Sequence, residues 1–216
     1  LDDGHDNVDL DTGENHPGSR PRADNTCVEC HEPEDNEFDE SVVGAHTVPE
    51  EFAGDADGYI DYLIGTVLPE CAPLARFCDV FCDEGVFTVA QARHLLEAGK
   101  EHGLVPRLHA NQLGHSGGAL LAAELGAISA DHLDHIDDDD IGALHTAGTV
   151  AVLLPGVSFS LRLPQPRGRD LWEAGVTVAL GTDCNPGTSP IETMPFVIAL
   201  ACLEMGLTPE QAVWSA

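Results

Sequence analysis

Three side chains that can bind a metal ion or transfer a proton stand at the ends of apolar, β-branched runs. They are His109, His132 and Asp183, and His135 is an alternative to His132 for the same role. A lone histidine at such a position more often makes a structural hydrogen bond, but imidazole and carboxylate groups together suit Zn²⁺ or Fe²⁺. If the runs are neighbouring parallel strands, their ends meet at one edge, and the pattern predicts a metal site there.

The elements that would position these residues alternate regularly along the chain. The predicted strands cover residues 42–48, 77–82, 105–109, 128–133, 149–154 and 176–182. The predicted helices cover residues 88–102, 118–125, 137–147, 170–174 and 190–205, and a last helix opens at Thr208-Pro209-Glu210. Thr88 is the expected N-cap of the first of these helices, and Gly126 and Gly148 are expected helix ends. Pro155 and Gly156 are expected to break the chain after the fifth strand. Apolar strands that alternate with helices indicate a parallel sheet of the α/β class.

A βα barrel accounts for this alternation better than a doubly wound open sheet does. No glycine-rich phosphate-binding fingerprint follows any predicted strand, as a dinucleotide-binding fold would require. Polar residues that can bind a metal ion instead end several successive strands: His46, His109, His132 and Asp183. In a barrel such ends converge on one site. We therefore predict a barrel domain over residues 41–216.

Residues 1–40 differ from the rest of the chain in composition. They are rich in Asp, Glu, Asn, Gly and Pro and have almost no apolar periodicity, which predicts an acidic segment of low order. Cys27, Cys30 and His31 form a C-x-x-C-H pattern within this segment, which is typical of c-type haem attachment and also offers three zinc ligands. A non-catalytic acidic fragment with a metal or haem site at these three residues is therefore an alternative function.

The charge balance excludes one class of partner and suggests a setting. The chain has 38 acidic residues against 9 lysines and arginines, a net charge of −29, and Lys100 as its only lysine. Nucleic acid is excluded because phosphate binding needs clustered cations. A lysine-poor, carboxylate-rich surface suits a salt-rich cytosol, so we expect a halophilic source. The odd number of cysteines, 7, favours a reducing cytoplasm, and no apolar run is long enough to cross a membrane.

Six stretches of the chain resemble the imidazolonepropionase family of the amidohydrolase superfamily. They read GAHTVPEEF from residue 44, DVFC from 79, LHANQL from 108, SADHL from 129, GTVAVLLPG from 148 and ALGTDCNPGTSP from 179. The resemblance covers about four fifths of the chain, and the TD-x-NPG-T-SP run is specific to this family within the superfamily. It implies a partial amidohydrolase-type TIM barrel, roughly strands three to eight.

The resemblance also implies roles for individual residues. It assigns metal ligation to His109 and Asp183, catalysis to His132 and Asp183, and substrate contacts to His46, Gln112, Asn185, Gly187 and Thr188. The implied cofactor is Zn²⁺ or Fe²⁺. The implied reaction is hydrolysis of the cyclic amide of 4-imidazolone-5-propanoate to N-formimidoyl-L-glutamate, a step of histidine degradation. Partners are then a small-molecule substrate and a second copy in a homodimer. Asn111 stands where the family often has an acid, next to the substrate-contacting position.

One family feature is absent from this sequence. The family's first strand carries a His-x-His pair that completes the metal shell, and no such pair occurs here. We therefore expect a fragment that is inactive by itself. Alternative functions are a different superfamily deaminase or cyclic amidase, which would share the ligands but not the pocket at 185–188, and a catalytically dead fragment that keeps only the fold.

Overall fold

A computed structural model describes residues 41–216, which form six parallel strands in a single sheet. The strands are β1 (Ser41–Ala45), β2 (Phe77–Cys82), β3 (Val105–Ala110), β4 (Ser129–His132), β5 (Val150–Leu153) and β6 (Val178–Leu180). Their order in the sheet is the order in the chain, and every neighbouring pair is parallel. This confirms the predicted parallel α/β architecture. The acidic segment 1–40, with Cys27, Cys30 and His31, lies outside the described residues.

Helices follow the strands and cover one face of the sheet. They are α1 (Ala56–Tyr62), α2 (Leu68–Cys71), α3 (Val89–Glu101), α4 (Gly118–Leu125), α5 (Asp138–Ala147), α6 (Pro155–Leu161), α7 (Gly168–Glu173), α8 (Met194–Leu203) and α9 (Pro209–Trp214). A π-helical turn, Leu63–Val67, joins α1 to α2. None of the helices within residues 41–216 is both long and apolar enough to cross a membrane.

Close packing of helices on the sheet determines which strand residues face away from them. A Cβ placed on Gly99 of α3 would lie 2.9 Å from Cys78, and one on Gly118 of α4 would lie 2.9 Å from Ala110. Cys78 and Ala110 therefore face the helices. Because side chains alternate along a strand, the adjacent Asp79 and His109 point to the opposite face. That face carries the candidate site.

Local helix-end rules account for most of the predicted helix boundaries. Thr88 caps α3 in a box with Gln91, and Gly126 and Gly148 end α4 and α5 in the left-handed conformation, as predicted. The helix predicted at 190–205 begins later, at Met194, because residues 182–190 form a hydrogen-bonded loop. Helix α6 was not predicted: Pro155, interpreted as a break after β5, occupies the first helical turn instead.

Candidate active site

Four polar residues meet at the carboxyl edge of the sheet, with Asp79 at their centre. His46 follows β1, Asp79 lies in β2, and His109 and His132 lie near or at the ends of β3 and β4. Asp79 Oδ2 is 3.1 Å from His46 Nε2 and 3.0 Å from His109 Nδ1. The ring of His109 is 4.3 Å from that of His46 and 5.3 Å from that of His132, centroid to centroid. The cluster thus joins four consecutive strands.

The donor atoms of this cluster are arranged as a metal site would need them. One ligand atom from each of His46, Asp79 and His109 lies within 4.8 Å of the other two. Two imidazoles and a carboxylate are a donor set that Zn²⁺ and Fe²⁺ accept. In a second arrangement, Asp79 is hydrogen-bonded to Nδ1 of His109 and is not a ligand, and Nε2 of that ring is left for an ion. The residues of this chain therefore fit a transition-metal centre.

Burial and nearby charges act in opposite directions on the pKa values of Asp79 and His109. Burial acts to raise the pKa of Asp79, but His109 and His46 outweigh it and hold that pKa well below its usual value. Burial likewise acts to lower the pKa of His109, and Asp79, with Asp131 and Asp183, raises it instead to about 9. Asp79 is thus an ionised carboxylate that accepts from both imidazoles.

Asp183 approaches the cluster from the loop that follows β6. Burial raises its pKa, while His109 and His46 act to lower it, so it lies within electrostatic reach of both imidazoles. It is not a member of the compact group formed by His46, Asp79 and His109 in the described residues. The two predicted ligands, His109 and Asp183, therefore lie at the same edge of the sheet, and Asp183 lies outside the compact group.

His132 is a buried, uncharged imidazole at the end of β4. Burial, followed by repulsion from His109, lowers its pKa to about 3. Its Nδ1 makes no hydrogen bond to any residue of the described range 41–216. A neutral imidazole can donate a hydrogen bond without carrying charge, which is what a donor to a developing oxyanion requires.

Gln112 is held in place by a carboxylate that sequence reasoning did not single out. Asp83, just beyond β2, is 3% exposed and accepts the backbone N–H groups of Gln112 at 2.6 Å and of Leu113 at 2.7 Å. Asn111 fixes the same loop by donating to the carbonyl of His135 and accepting from the Ala119 N–H. The backbone of His135 therefore supports the loop on which Gln112 lies.

The predicted pocket residues Asn185, Gly187 and Thr188 form one loop with Asp183. Asn185 Oδ1 accepts the backbone N–H of Gly187 at 3.0 Å and that of Thr188 at 2.8 Å. Its Nδ2 donates to the carbonyl of Asp183 at 2.8 Å. The side chain of Asn185 thus orders the loop that carries Asp183, and its predicted contact with substrate stays a prediction.

Several of these residues adopt a backbone conformation that is uncommon for side-chain-bearing residues. Asn111, His132, Leu133 and Asp183 have φ values of 52°, 76°, 62° and 46°. All four lie at or just after the carboxyl end of a strand. A left-handed residue there breaks the strand's alternation and redirects the side chains around it.

The cysteines near the site differ in their burial. Cys78 and Cys82 are buried, and desolvation followed by the neighbouring Asp79 or Asp83 raises the pKa of each thiol to about 12. They behave as small buried apolar residues. Cys184, beside Asp183, is exposed.

Arg107 and Asp131 form an ion pair on the same sheet face as the cluster. Arg107 Nη2 is 3.1 Å from Asp131 Oδ2, and Asp131 pairs in register with His109. Burial raises the pKa of Asp131, and His109 and Arg107 oppose this. The sheet face below the cluster is therefore charged rather than apolar, a feature that the sequence pattern did not reveal.

Asp134, a buried carboxyl just beyond His132, should make the stability of the protein depend on pH. Asp134 accepts a hydrogen bond from Ser158 Oγ at 2.7 Å, and burial raises its pKa to about 7. Its folded pKa exceeds its unfolded pKa, so its contribution to stability is greatest at low pH and is lost as pH rises through about 7. We expect Asp134→Asn to raise the free energy of unfolding at pH 8 by roughly 1–3 kcal/mol and to change it little at pH 4. Urea denaturation at both pH values measures this, and equal effects at the two would contradict it.

The fold of the sheet and its helices is shared with two proteins of known structure. Guanine deaminase from C. acetobutylicum superposes with a TM-score of 0.61 at 13% identity, covering 82% of this chain and 49% of that chain. The Arabidopsis ADAL complex with IMP superposes with a TM-score of 0.60 at 14% identity, over 82% of this chain and 50% of its own. These likenesses establish the class of fold: a parallel βα architecture that corresponds to about half of each of these chains.

Sequence comparison identifies the particular family. Imidazolonepropionase of Streptomyces griseus is 53% identical over 176 residues, which are 82% of this chain and 45% of that protein. That of Streptomyces coelicolor is 54% identical with the same coverage. No family model matches the chain. The chain is a relative of the imidazolonepropionases, and it spans about 45% of the length of those it matches.

Proposed function

We propose that this chain carries part of the catalytic site for metal-dependent hydrolysis of 4-imidazolone-5-propanoate to N-formimidoyl-L-glutamate, in histidine degradation. The identity to imidazolonepropionases over 176 residues is the observation that carries the proposal. The meeting of His109, His132 and Asp183 at one edge of the sheet supports it, because hydrolysis of a cyclic amide needs a held ion, a base and a donor together.

The proposed ion is Zn²⁺ or Fe²⁺, held by His109 through Nε2 and by Asp183. In the imidazolonepropionase family, a His-x-His pair on the first strand supplies the remaining ligands. That pair does not occur in this sequence. Such an ion, when bound, provides a water molecule whose pKa is lowered from 15.7 toward about 7. The arrangement of Asp79 on the opposite nitrogen of His109 supports this assignment.

The acid–base and donor roles are then assigned to side chains of this chain. Asp183 accepts the proton of the attacking water and delivers it to the leaving ring nitrogen. His132, which is uncharged above about pH 3, donates a hydrogen bond to the oxygen that becomes negative.

Substrate binding is assigned to short-range donors because the long-range field is unfavourable. The substrate carries a propionate, and the chain carries a net charge of −29. His46, Gln112 and the backbone around Gly187, with Asn185 and Thr188, are the proposed contacts. Salt in the surroundings would screen the repulsion beyond a few ångströms.

We also propose the biological setting that the sequence suggests. It is a salt-rich cytoplasm, with a small molecule as substrate and a homodimer as the assembly. The lysine-poor composition supports the first of these. Activity that rises with KCl concentration, and a dimer mass by light scattering, would support the setting; loss of activity in molar KCl would contradict it.

The test compares the chain alone with a completed enzyme. The completed enzyme is this 216-residue chain co-produced with the part of Streptomyces griseus imidazolonepropionase upstream of the matched segment. We expect the chain alone to form N-formimidoyl-glutamate at least about 1,000-fold more slowly, because its ligands hold the ion incompletely. Product formation is measured with and without added Zn²⁺ or Fe²⁺.

Two outcomes would contradict this assignment. Hydrolysis by the chain alone at the rate of the Streptomyces griseus enzyme would show that another histidine of this chain completes the metal shell. Deamination of guanine by a completed enzyme that is inactive on imidazolonepropionate would favour the alternative of a superfamily deaminase.

A further inference from the structure

Asp79 is the one residue of the cluster to which the proposed reaction assigns no role. It lies in the middle of β2, between Cys78 and Val80, and is 2% exposed. Burying a carboxylate in an apolar strand is costly unless it is fully hydrogen-bonded. Its side-chain hydrogen-bond partners in the described residues are the imidazoles of His46 and His109, so its burial is compensated by the site rather than by the rest of the fold.

The geometry determines which nitrogen of His109 faces an ion. Asp79 oxygens lie 3.0 Å and 3.2 Å from His109 Nδ1. A carboxylate that accepts from Nδ1 keeps the proton there, so an ion that binds the ring displaces the proton of Nε2 and takes the lone pair of that nitrogen. Carboxylates placed in this way behind a ligating histidine also orient the ring and raise its basicity.

We propose that Asp79 is a positioning residue that fixes the Nδ1–H form and the ring orientation of His109 for metal binding. This inference rests on the proposed function, in which His109 is a ligand through Nε2. Because Asp79 Oδ2 also lies 3.1 Å from His46 Nε2, the same carboxylate ties a proposed substrate contact to the metal ligand. Ligand and contact are thereby held in one geometry.

The test measures zinc affinity and not activity. Zn²⁺ is titrated calorimetrically into the completed enzyme in a background that carries Cys27→Ser, Cys30→Ser and His115→Ala. These changes remove the C-x-x-C-H ligands and the second group of ligand atoms within 4.8 Å, which His115 forms with Asp137 and Asp140. We expect Asp79→Asn to weaken binding by about 10- to 100-fold at unchanged stoichiometry. The matched control is Asp134→Asn, which alters a buried carboxyl bonded to Ser158 and should leave zinc affinity unchanged.

A spectroscopic readout separates positioning from a merely structural role. In the zinc-loaded parent, ¹⁵N shifts of the His109 ring should show a protonated Nδ1 and a metal-bound Nε2. In Asp79→Asn, a mixture of the two ring forms is expected, with an unchanged backbone spectrum outside β2 and β3. An unaltered His109 spectrum together with unaltered affinity would overturn the inference.

Three further outcomes test the positioning role of Asp79 and the proposed metal centre. Complete loss of zinc binding in Asp79→Asn, as in His109→Ala, would overturn the positioning role and make Asp79 a direct ligand. Failure of the parent completed enzyme to bind zinc would contradict the proposed metal centre, and this inference with it. Zinc binding by the parent that Asp79→Asn leaves intact would refute the inference alone.

Discussion

Replacing Asp183 by asparagine in the completed enzyme is expected to reduce hydrolysis of imidazolonepropionate to the background rate. The substitution removes a proposed ligand and the proposed proton acceptor together, while an amide keeps nearly the same shape. Burial already raises the pKa of Asp183, so in this structure it is poised to accept a proton, an ability that asparagine lacks. Product formation under saturating substrate and metal measures the loss.

Asp134→Asn is the matched control for this prediction. It makes the same chemical change in a buried aspartate near the same sheet edge, and we expect it to retain activity within about threefold. If Asp183→Asn retained a tenth or more of the parent rate, another group would have to be the base. Asp131, buried on the same face beside His109, would then be the next residue to replace.

Replacing His132 by alanine is expected to lower kcat by about two to three orders of magnitude with the metal still bound. The buried, uncharged imidazole is proposed to donate to the oxygen that becomes negative, and alanine offers no donor. Because the pKa of His132 is about 3, its loss should lower the rate equally across pH 6–9. Metal content by elemental analysis and kcat against pH are the two measurements.

His145→Ala is a suitable control for His132→Ala. His145 lies in the last turn of α5 and is exposed, so its removal should not change kcat. A His132→Ala enzyme that lost its metal would indicate that His132 is a ligand. A change in kcat of less than threefold would remove His132 from the proposed catalytic machinery.

The elements that could be predicted from the sequence are those set by local interactions. A threonine followed three residues later by a glutamine is a signature of a helix N-terminus, and Thr88 and Gln91 form such a capping box here. Gly126 and Gly148 end their helices because only a few residues tolerate a left-handed backbone. Continuous apolar runs likewise identified all six strands, to within a few residues at each end.

Asp79 could not be identified as part of the site because its role depends on the pairing of distant strands. In the sequence it is one acid within an apolar run, and only the parallel register of β2 with β3 places it beside His109. The signal that was present is an ionisable residue at the centre of a strand predicted to be buried. Such a residue needs a partner, and the partner is a site residue.

Helix α6 was missed for a different reason. Proline and glycine were interpreted as a break, yet a proline in the first helical turn lacks only an N–H that the helix would leave unpaired. The helical segments between residues 50 and 74 include a π-helical turn, whose hydrogen bonds do not follow the usual period. Sequence patterns based on the α-helical period therefore do not detect the π-helical turn.

The left-handed residues at the strand ends restrict how this site can change by mutation. Asn111, His132, Leu133 and Asp183 occupy a region that costs an ordinary residue roughly 1–2 kcal/mol, and in which Asn, Asp and His are the side chains most often found. The backbone conformation therefore limits which amino acids these positions accept, independently of the reaction that the site catalyses. Valine, isoleucine and threonine are disfavoured there whatever the reaction. An evolutionary path to a new activity on this scaffold would run mainly through the neighbouring loops, whose backbone admits a wider set of amino acids.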